Sequence, residues 1–524
     1  MTRTDDSARA GHNARPRQGL RALYAYGVPL LAFAPYLLLT GTRWSWHPDS
    51  VLGDWAQYVS HARALLEGRR FADIGYIYHP AAWAIGPQSY PPGFSLTLLP
   101  IVAFAGIDSA WFRVLMLVSV LVFACVASWR LRAETAEWQV WVAVGMAAYA
   151  IEASGVVVAP MSDPGFCALF WGVIVAVDRP GAWSGGRIAL VTALGVAAMA
   201  YRIPGVVLIP ALGVHALRTW SSHRGRAAVP VVAWCLAGGI AAAMGLVRVP
   251  YDVVSAVFSH TTVRLMRTAE ELKYGAFEGV LYPFPWDRAN DVWHLLALLA
   301  SVGGLVLLAW RWRNSFLLVA VAAYMTMILA APVASARYFW PMYPVLTLGL
   351  VVGLHRAVTV VSARFATPVT AAAMTVALLG ALLVALPQSE PSTLTGSADG
   401  RSLFAWVEGQ GRREPMRMAF HNPRVLTLYT RVPAMGEVDR SENGQLAAFE
   451  DGHVTHVIAV RTAEGGCLQG IVNRLVANTP ERFELVWENA TYGVYRLLPR
   501  AATEPGPWEA IDWQHAERFC RNRR

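Results

Sequence analysis

The stretch WFRVLMLVSVLVFACVASW, residues 111–129, consists almost entirely of apolar side chains. Its length is close to the roughly 20 residues that an α-helix needs to cross the hydrocarbon core of a bilayer. Similar runs occupy residues 23–41, 140–160, 231–247, 292–310 and 367–386. Helices are the expected form, because backbone groups in hydrocarbon must be hydrogen-bonded within their own segment. These runs predict a membrane protein with many spans.

The composition of the whole chain supports this prediction. The 524 residues are 55% hydrophobic and only 15% charged, whereas a soluble domain has about 25% charged residues. The mean hydropathy is +0.38. The net charge of +9 raises the question of a nucleic-acid partner. The arginines are spread over short loops, however, and the bias of Lys and Arg toward cytoplasmic loops explains them better. We therefore expect a lipid environment and no nucleic acid.

We predict about eleven transmembrane helices in a membrane domain that spans residues 22–387. Their approximate limits are 22–41, 111–130, 138–159, 164–178, 187–200, 204–219, 228–248, 292–312, 315–331, 338–356 and 367–387. The Arg-rich tail, residues 1–21, is assigned to the cytoplasm. Alternation then puts loops 42–110 and 249–291 on the outer face. The segment YPPGFSLTLLPIVAFAG, residues 90–106, is expected to be juxtamembrane or re-entrant.

The chain changes character after the last apolar run. Residues 388–500 are predicted to form a small extracytoplasmic α/β domain, and residues 501–524 a tail. Strand-like segments at 416–420, 454–460, 483–489 and 492–498 alternate with amphipathic segments at 402–411 and 467–478. Asn489 begins an Asn-Ala-Thr sequence that fits a glycosylation acceptor. Because it lies between two predicted strands, a hairpin turn is the favoured interpretation.

Four ionisable residues lie where predicted helices emerge on the outer face: Asp54, Asp163, Arg202 and Arg337. Charges at membrane depth are costly and tend to mark sites or pathways. Carboxylates beside arginines would suit an anionic ligand next to a base. Structural alternatives stay open, since the aspartates are also candidates for helix N-caps. The arginines are also candidates for snorkelling to lipid headgroups.

The order of these segments carries more information than any one of them. An acidic residue follows the first span in GDWAQYVSHARALLE, residues 53–67, and SYPPGF, SDP, YRIPG and RYFWPMYP come after it. A predicted outer α/β domain closes the chain. This order resembles the GT-C superfamily of membrane glycosyltransferases, the group that contains protein O-mannosyltransferases and lipid A aminoarabinose transferases. The resemblance covers nearly the whole chain.

The resemblance implies an enzyme integral to the plasma membrane, the inner membrane of a bacterium. Such an enzyme moves a sugar from a polyprenyl-phosphate donor to an acceptor on the extracytoplasmic face, in a cell-envelope glycan, a lipid or a protein. Asp54 matches the acidic residue at the catalytic centre, which is a general base or a metal ligand depending on the member. Asp163 matches a second acidic residue of the cavity. Any divalent metal ion is expected at Asp54.

The resemblance also implies how the lipid phosphate is held. Arg202 and Arg337 match basic residues that bind it, with Tyr338 beside the latter. Tyr90 and the pair Pro91–Pro92 match a segment that shapes the lipid entrance. Several members have His-Pro-Pro here and Asp-Glu in the first loop, where this chain has Tyr90 before the prolines and Trp55 after Asp54. The donor sugar and the acceptor are therefore left open.

The chemistry that this family implies agrees with these residue types. Arginines stabilise charge that builds on a departing phosphate, and a carboxylate that accepts the acceptor's proton is typically worth about 10²–10⁴-fold in rate. A transporter or flippase of a lipid-linked or anionic substrate is the alternative, together with a glycan polymerase or ligase and an inactive homologue. Transporters often contain internal repeats, and no repeat is evident in this sequence.

Overall fold

A computed structural model gives the fold of most of the chain. It describes residues 28–46, 53–79, 86–107, 110–153, 158–223, 225–243, 291–330, 336–386, 394–436, 438, 442–460 and 467–499. The predicted tails 1–21 and 501–524 lie outside these residues, as does almost all of the predicted outer loop 249–291.

The first three quarters of the chain form a helical unit. Its helices are α1 (Val28–Thr42), α2 (Asp54–Leu66), α3 (Pro92–Ala105), α4 (Trp111–Leu131), α5 (Glu137–Ala153), α6 (Ser162–Asp178), α7 (Gly185–Tyr201), α8 (Leu208–Arg218), α9 (Ala228–Ala243), α10 (Asp291–Arg311), α11 (Phe316–Ala330), α12 (Tyr343–Val361) and α13 (Ala366–Ala385). A single helical turn, Trp220–His223, precedes α9. Short 3-10 segments occupy Pro87–Ser89, Ile203–Val207 and Ala336–Met342.

Each predicted span overlaps one of these helices, namely α1 or one of α4–α13. The segment expected to be juxtamembrane forms α3. Among the described helices, Trp111–Leu131 and the continuous stretch Arg337–Val361 are long and apolar enough to cross a membrane. The other apolar helices meet this test only over shorter stretches of 10–17 residues, such as Leu296–Arg311 in α10 and Ala366–Leu379 in α13. The number of spans therefore stays a prediction.

Helix α12 is buried along its first half and packs closely against α10. Its residues from Tyr343 to Gly353 are all buried. A Cβ atom on Gly304 of α10 would lie 1.8 Å from the carbonyl oxygen of Gly349. A side chain at either crossing point would force the helices apart, so glycine is required there.

One carboxylate joins three helices at the end of α6. Asp178 accepts hydrogen bonds from Arg130 Nε of α4 at 2.8 Å, from Ser315 Oγ at 2.6 Å and from the backbone N–H of Phe316 at 2.7 Å. The first N–H groups of a helix have no partner within the helix, and a negative charge is favourable there. Asp178 therefore caps α11 from a neighbouring helix while it neutralises a buried arginine.

The C-terminal part of the chain forms the predicted small sheet domain. Its strands are β1 (Tyr76–Ile77), β2 (Met418–Ala419), β3 (Ala434–Met435), β4 (His456–Val460), β5 (Phe483–Glu488) and β6 (Tyr492–Leu497), in the order β1-β3-β2-β4-β6-β5. The first four strands in that order pair in parallel, and the last two pairings are antiparallel. The helices are α14 (Ala398–Gly411), α15 (Pro423–Thr430), α16 (Glu442–Asp451) and α17 (Cys467–Asn478). A 3-10 turn, Pro480–Arg482, precedes β5.

The turn between β5 and β6 is built around Asn489. Its Oδ1 accepts hydrogen bonds from the backbone N–H groups of Thr491 at 3.0 Å and Tyr492 at 2.7 Å. An Asn side chain commonly stabilises a turn in this way. The hairpin interpretation of the Asn-Ala-Thr sequence is confirmed.

Strand β1 is the unexpected member of the sheet, because it comes from the loop between α2 and α3. Tyr76 pairs with Ala434 in parallel register, and the backbone N–H of Ala434 donates to the Gly75 carbonyl at 3.1 Å. The loop between α2 and α3 therefore contributes a strand to the sheet of the C-terminal domain. This pairing places the domain directly against α2.

The Asp178 cap predicts a large loss of stability on substitution. Asp178→Ala leaves the buried Arg130 with Glu134 as its remaining counter-ion and removes the acceptor for the first N–H groups of α11, so it should lower the apparent melting temperature in detergent by several degrees. Glu137→Ala is the control, because Glu137 forms an exposed pair with Arg132 of the kind worth about 0–1 kcal/mol. Equal melting temperatures for the two variants would contradict the cap.

Candidate functional site

Asp54 is the centre of the candidate site. It is the first residue of α2, and Gly53 occupies the N-cap position, so Asp54 is not the N-cap. Its Oδ1 accepts hydrogen bonds from Tyr90 Oη at 2.8 Å and from Arg424 Nη1 at 2.5 Å. Its Oδ2 accepts one from Arg337 Nη2 at 2.5 Å. Two guanidinium groups therefore converge on one carboxylate.

These partners determine the charge of Asp54. Burial would raise the pKa of its carboxyl, but the positive charges of Arg337 and Arg424, with hydrogen bonds from Arg337 and Tyr90, lower that pKa to about 2. The carboxylate is thus ionised throughout the physiological range. A carboxylate with so low a pKa accepts a proton poorly, because base strength falls with the pKa. Asp54 is a weak base as long as both arginines bind it.

Arg337 is held by the backbone of its own segment. Ala336–Met342 forms a 3-10 helix that contains Pro341, a residue without a backbone N–H. Trp171 of α6 donates to the Pro341 carbonyl at 2.8 Å, and Tyr324 of α11 donates to the Tyr338 carbonyl at 3.0 Å. Two buried aromatic side chains from different helices thus fix the segment that carries Arg337.

Asp163 and Arg202 form a second ion pair. Asp163 is the second residue of α6, whose N-cap position is Met161, so Asp163 is not the N-cap either. Its side chain is almost completely buried. Arg202 follows α7 in an extended conformation, before the 3-10 segment Ile203–Val207. Each residue therefore supplies the opposite charge that the other requires when it is buried.

Tyr338 lies between the two ion pairs. The guanidinium carbon of Arg202 is 5.2 Å from the centroid of its ring, and that of Arg337 is 5.9 Å away. Both distances are within the range of a cation–π interaction. The structure therefore brings all four predicted ionisable residues into one cluster, with Tyr338 as the link between Arg202 and Arg337.

Tyr58 fixes the two acidic residues relative to each other. It lies one turn after Asp54 on α2, and its Oη is 2.7 Å from Ser162 Oγ, next to Asp163. Burial raises the pKa of Tyr58, and the charges of Arg202, Asp54 and Arg337 also act on it. Sequence analysis missed this residue, although its spacing of four from Asp54 puts both side chains on one helix face.

The predicted Tyr-Pro-Pro segment also reaches the site. Tyr90 binds Asp54 directly, Pro91 occupies the N-cap position of α3, and Pro92 begins the helix. A proline at a helix start is favourable, because its fixed φ suits the first turn. The prolines therefore start α3 immediately after Tyr90. Their part in a lipid entrance stays a prediction.

Arg424 is a second residue of the site that sequence analysis missed. It comes from α15 of the C-terminal domain, 370 positions from Asp54 along the chain. Besides Asp54, its Nη1 binds Tyr90 Oη at 3.0 Å. The only signal in the sequence is an arginine within PRVLTLYT, a short segment that is otherwise mostly apolar. Nothing in that segment indicated the distant partner.

Solved structures with the same fold are membrane transferases. ArnT from Cupriavidus metallidurans in the apo state is 13% identical, with a TM-score of 0.52 over 92% of this chain and 98% of that chain. The archaeal oligosaccharyltransferase AglB from Archaeoglobus fulgidus is 11% identical, with a TM-score of 0.51 over 84% of this chain and 70% of that chain. Both are GT-C proteins. The chain has the GT-C fold.

The predicted superfamily resemblance is thereby confirmed at the level of the fold. ArnT bound to undecaprenyl phosphate gives a TM-score of 0.50 at 13% identity, over 94% of this chain and 100% of that chain. No protein-family model matches the chain, and no curated protein matches it in sequence.

The residues at Asp54 do not fit a divalent metal ion. Both carboxylate oxygens face guanidinium groups, which are cations and cannot coordinate a metal. Within the described parts of the chain, no three His, Cys, Asp or Glu side chains come together as ligands. Magnesium and calcium need several oxygen ligands. The resemblance allowed a metal ion at Asp54. The described residues provide no set of ligands for one there.

The low pKa of Asp54 predicts how stability depends on pH. Because the pKa falls from 3.8 to about 2 on folding, the stabilisation by the carboxylate is fully present above the unfolded value. It is lost only as the pH falls through the folded value. Asp54→Asn should therefore lower the melting temperature by the same amount at all values between about pH 5 and about pH 8. Thermal unfolding in detergent measures this difference.

A difference that changes with a midpoint inside that range would contradict the double pairing, because it would require an Asp54 pKa near or above its ordinary value. Glu67→Gln is the matched control. Glu67 immediately follows α2 and pairs with arginines at the surface, so its effect should be small.

Proposed function

We propose that this protein is a membrane glycosyltransferase that moves a sugar from a polyprenyl-phosphate donor to an acceptor hydroxyl on the extracytoplasmic face. The observation that carries the proposal is at Arg337. Its Nη2 binds Asp54, while its buried Nε–H has no acceptor among the described residues. A buried donor without a partner costs about 1–3 kcal/mol. A phosphate oxygen of the donor would satisfy it.

The residue types around Arg337 favour a phosphate over other anions. A guanidinium group presents several N–H donors in a plane, which suits phosphate oxygens. Arg202 contacts the same Tyr338 ring as Arg337, so two guanidinium groups lie close to one aromatic ring. In a polyprenyl-phosphate sugar the phosphate is the leaving group, and positive groups fixed in advance stabilise the charge that it gains.

The proposed reaction forms one bond and breaks one. The acceptor oxygen bonds to the anomeric carbon while the bond between that carbon and the phosphate oxygen breaks, and the phosphate leaves with the electron pair. Attack from the side opposite the phosphate inverts the anomeric configuration. The acceptor's proton passes to Asp54, the carboxylate closest to Arg337.

The pairing of Asp54 gives this proton transfer an order. While Arg337 and Arg424 bind the carboxylate, its pKa is about 2 and it is a weak base. A donor phosphate competes with the carboxylate for Arg337. Each pairing that the phosphate takes over lets the Asp54 pKa rise toward its ordinary value, so the carboxylate becomes a better base once the donor is bound.

Solved structures of the same fold support the donor class. AglB was solved in complex with an inhibitory peptide and a dolichol-phosphate, and ArnT was solved bound to undecaprenyl phosphate. At 11–13% identity these structures support a type of ligand and leave the sugar and acceptor open. A multi-pass position in the plasma membrane, with the C-terminal domain outside, is part of the proposal.

The test is release of free polyprenyl phosphate by detergent-purified protein. A panel of polyprenyl-phosphate monosaccharides is supplied with an envelope extract as the source of acceptors. The wild type should release the lipid phosphate from at least one donor, and Asp54→Asn should be slower by about 10²–10⁴-fold, the usual worth of a general base. Glu67→Gln, an acidic residue immediately after the same helix, should retain full activity.

Two results would overturn this function. Absence of release from every donor by folded wild-type protein would exclude the donor class. Full activity in Asp54→Asn would exclude the proposed base. Thermal unfolding of each variant shows whether it is folded.

A further inference from the structure

The C-terminal domain reaches the candidate site through Arg424. This residue lies in the first turn of α15, directly after Pro423, and is 8% exposed. Its Nη1 binds Asp54 Oδ1, whereas Arg337 binds Oδ2 of the same carboxylate. Arginines from the helical unit and from the C-terminal domain therefore meet at one anionic group.

Aromatic rings fix the orientation of the Arg424 guanidinium. Its central carbon is 5.3 Å from the ring centroid of Tyr76 and 5.4 Å from that of Tyr90. Tyr76 lies on β1, which pairs with β3 of the C-terminal sheet, and Tyr90 precedes α3 in the helical unit. The side chain is held between the two parts of the chain, and its donors remain directed at the anionic position.

Other contacts already dock α15 on α2. Arg63 of α2 donates to the Leu428 carbonyl at 2.8 Å, and the ring centroids of Trp55 and Tyr429 are 6.4 Å apart. The parallel pairing of β1 with β3 adds backbone hydrogen bonds. Docking therefore does not depend on Arg424 alone.

The cost of burying a guanidinium makes a merely structural role for Arg424 less favourable. Burial of an ion pair often stabilises a fold no better than apolar residues of similar volume. Two guanidinium groups face the single carboxylate of Asp54, so these three side chains carry one net positive charge. An anionic ligand would balance that charge.

We infer that Arg424 binds the phosphate of the lipid-linked donor together with Arg337, so that the C-terminal domain completes the donor site. This inference rests on the proposed function. Two guanidinium groups that share one carboxylate are placed to share one phosphate, because phosphate oxygens accept the same charge-assisted hydrogen bonds. The donor site is then complete only when the domain is docked on α2.

Binding of two lipids to the full-length protein tests this inference. The probes are undecaprenyl phosphate and undecaprenol, which have the same chain and differ in the phosphate. Arg424→Gln should weaken binding of undecaprenyl phosphate by about 10- to 100-fold, the range expected when charge-assisted hydrogen bonds are lost, and leave undecaprenol binding unchanged. Arg424→Lys should fall between, because it keeps the charge and loses the fork of donors.

Arg431→Gln is the matched control. Arg431 immediately follows α15 and pairs with Glu67 beside α2 at 3.1 Å, so this variant loses a docking contact and leaves the site intact. It should bind both lipids as the wild type does. Arg337→Gln serves as the positive reference and should weaken binding of the phosphate lipid alone.

The outcomes separate this inference from the proposed function. Unchanged binding of undecaprenyl phosphate by Arg424→Gln, with a loss in Arg337→Gln, overturns the role of Arg424 and leaves the donor class standing. An equal loss of both lipids in the Arg424 variants shows a structural role and also overturns it. A wild type that does not prefer the phosphate lipid overturns the donor class and this inference with it.

Discussion

The structure depends on one carboxylate that two guanidinium groups share. Asp54 is 283 positions from Arg337 and 370 from Arg424 along the chain. A buried charge is tolerated only when it is paired, so these three residues can be buried only together. Their pairing joins α2, the 3-10 segment before α12 and the C-terminal domain at one point, beside the contacts that already dock α15 on α2.

The same pairing explains why the carboxylate that we propose as the base has so low a pKa. Without ligand, Arg337 and Arg424 use Asp54 as their counter-ion, and its basicity is suppressed. A phosphate can replace the carboxylate, because it accepts the same hydrogen bonds. The exchange would satisfy the buried Nε–H of Arg337 and release the base. In the proposed reaction, donor binding and activation of the acceptor are thus coupled through one set of hydrogen bonds.

The sequence predicted well those features that depend on a continuous segment of the chain, namely the apolar helices and the charged residues beside them. Apolar runs located the helices α1 and α4–α13, because length and hydropathy are properties of a continuous segment. Asp54, Asp163, Arg202 and Arg337 were found because ionisable groups at membrane depth are costly and tend to mark sites. The structure gathers all four into one cluster. Their individual roles stay predictions.

The parts that sequence could not predict arise from contacts between distant segments. Strand β1 has two residues, which is too short for any alternating pattern, and its parallel partner β3 lies in the C-terminal domain. Arg424 lies in a short helix whose own sequence contains no acidic partner. The local alternative for both aspartates was an N-cap, and the neighbouring residues took that position instead. Tertiary pairing decided each of these cases.

The most direct test of the account is a structure of the full-length protein in lipid nanodiscs with bound undecaprenyl phosphate. The account predicts phosphate oxygens about 3 Å from Arg337 nitrogens, with the contact between Arg337 and Asp54 broken. A phosphate bound elsewhere, with Asp54 still held by Arg337 and Arg424, would contradict it.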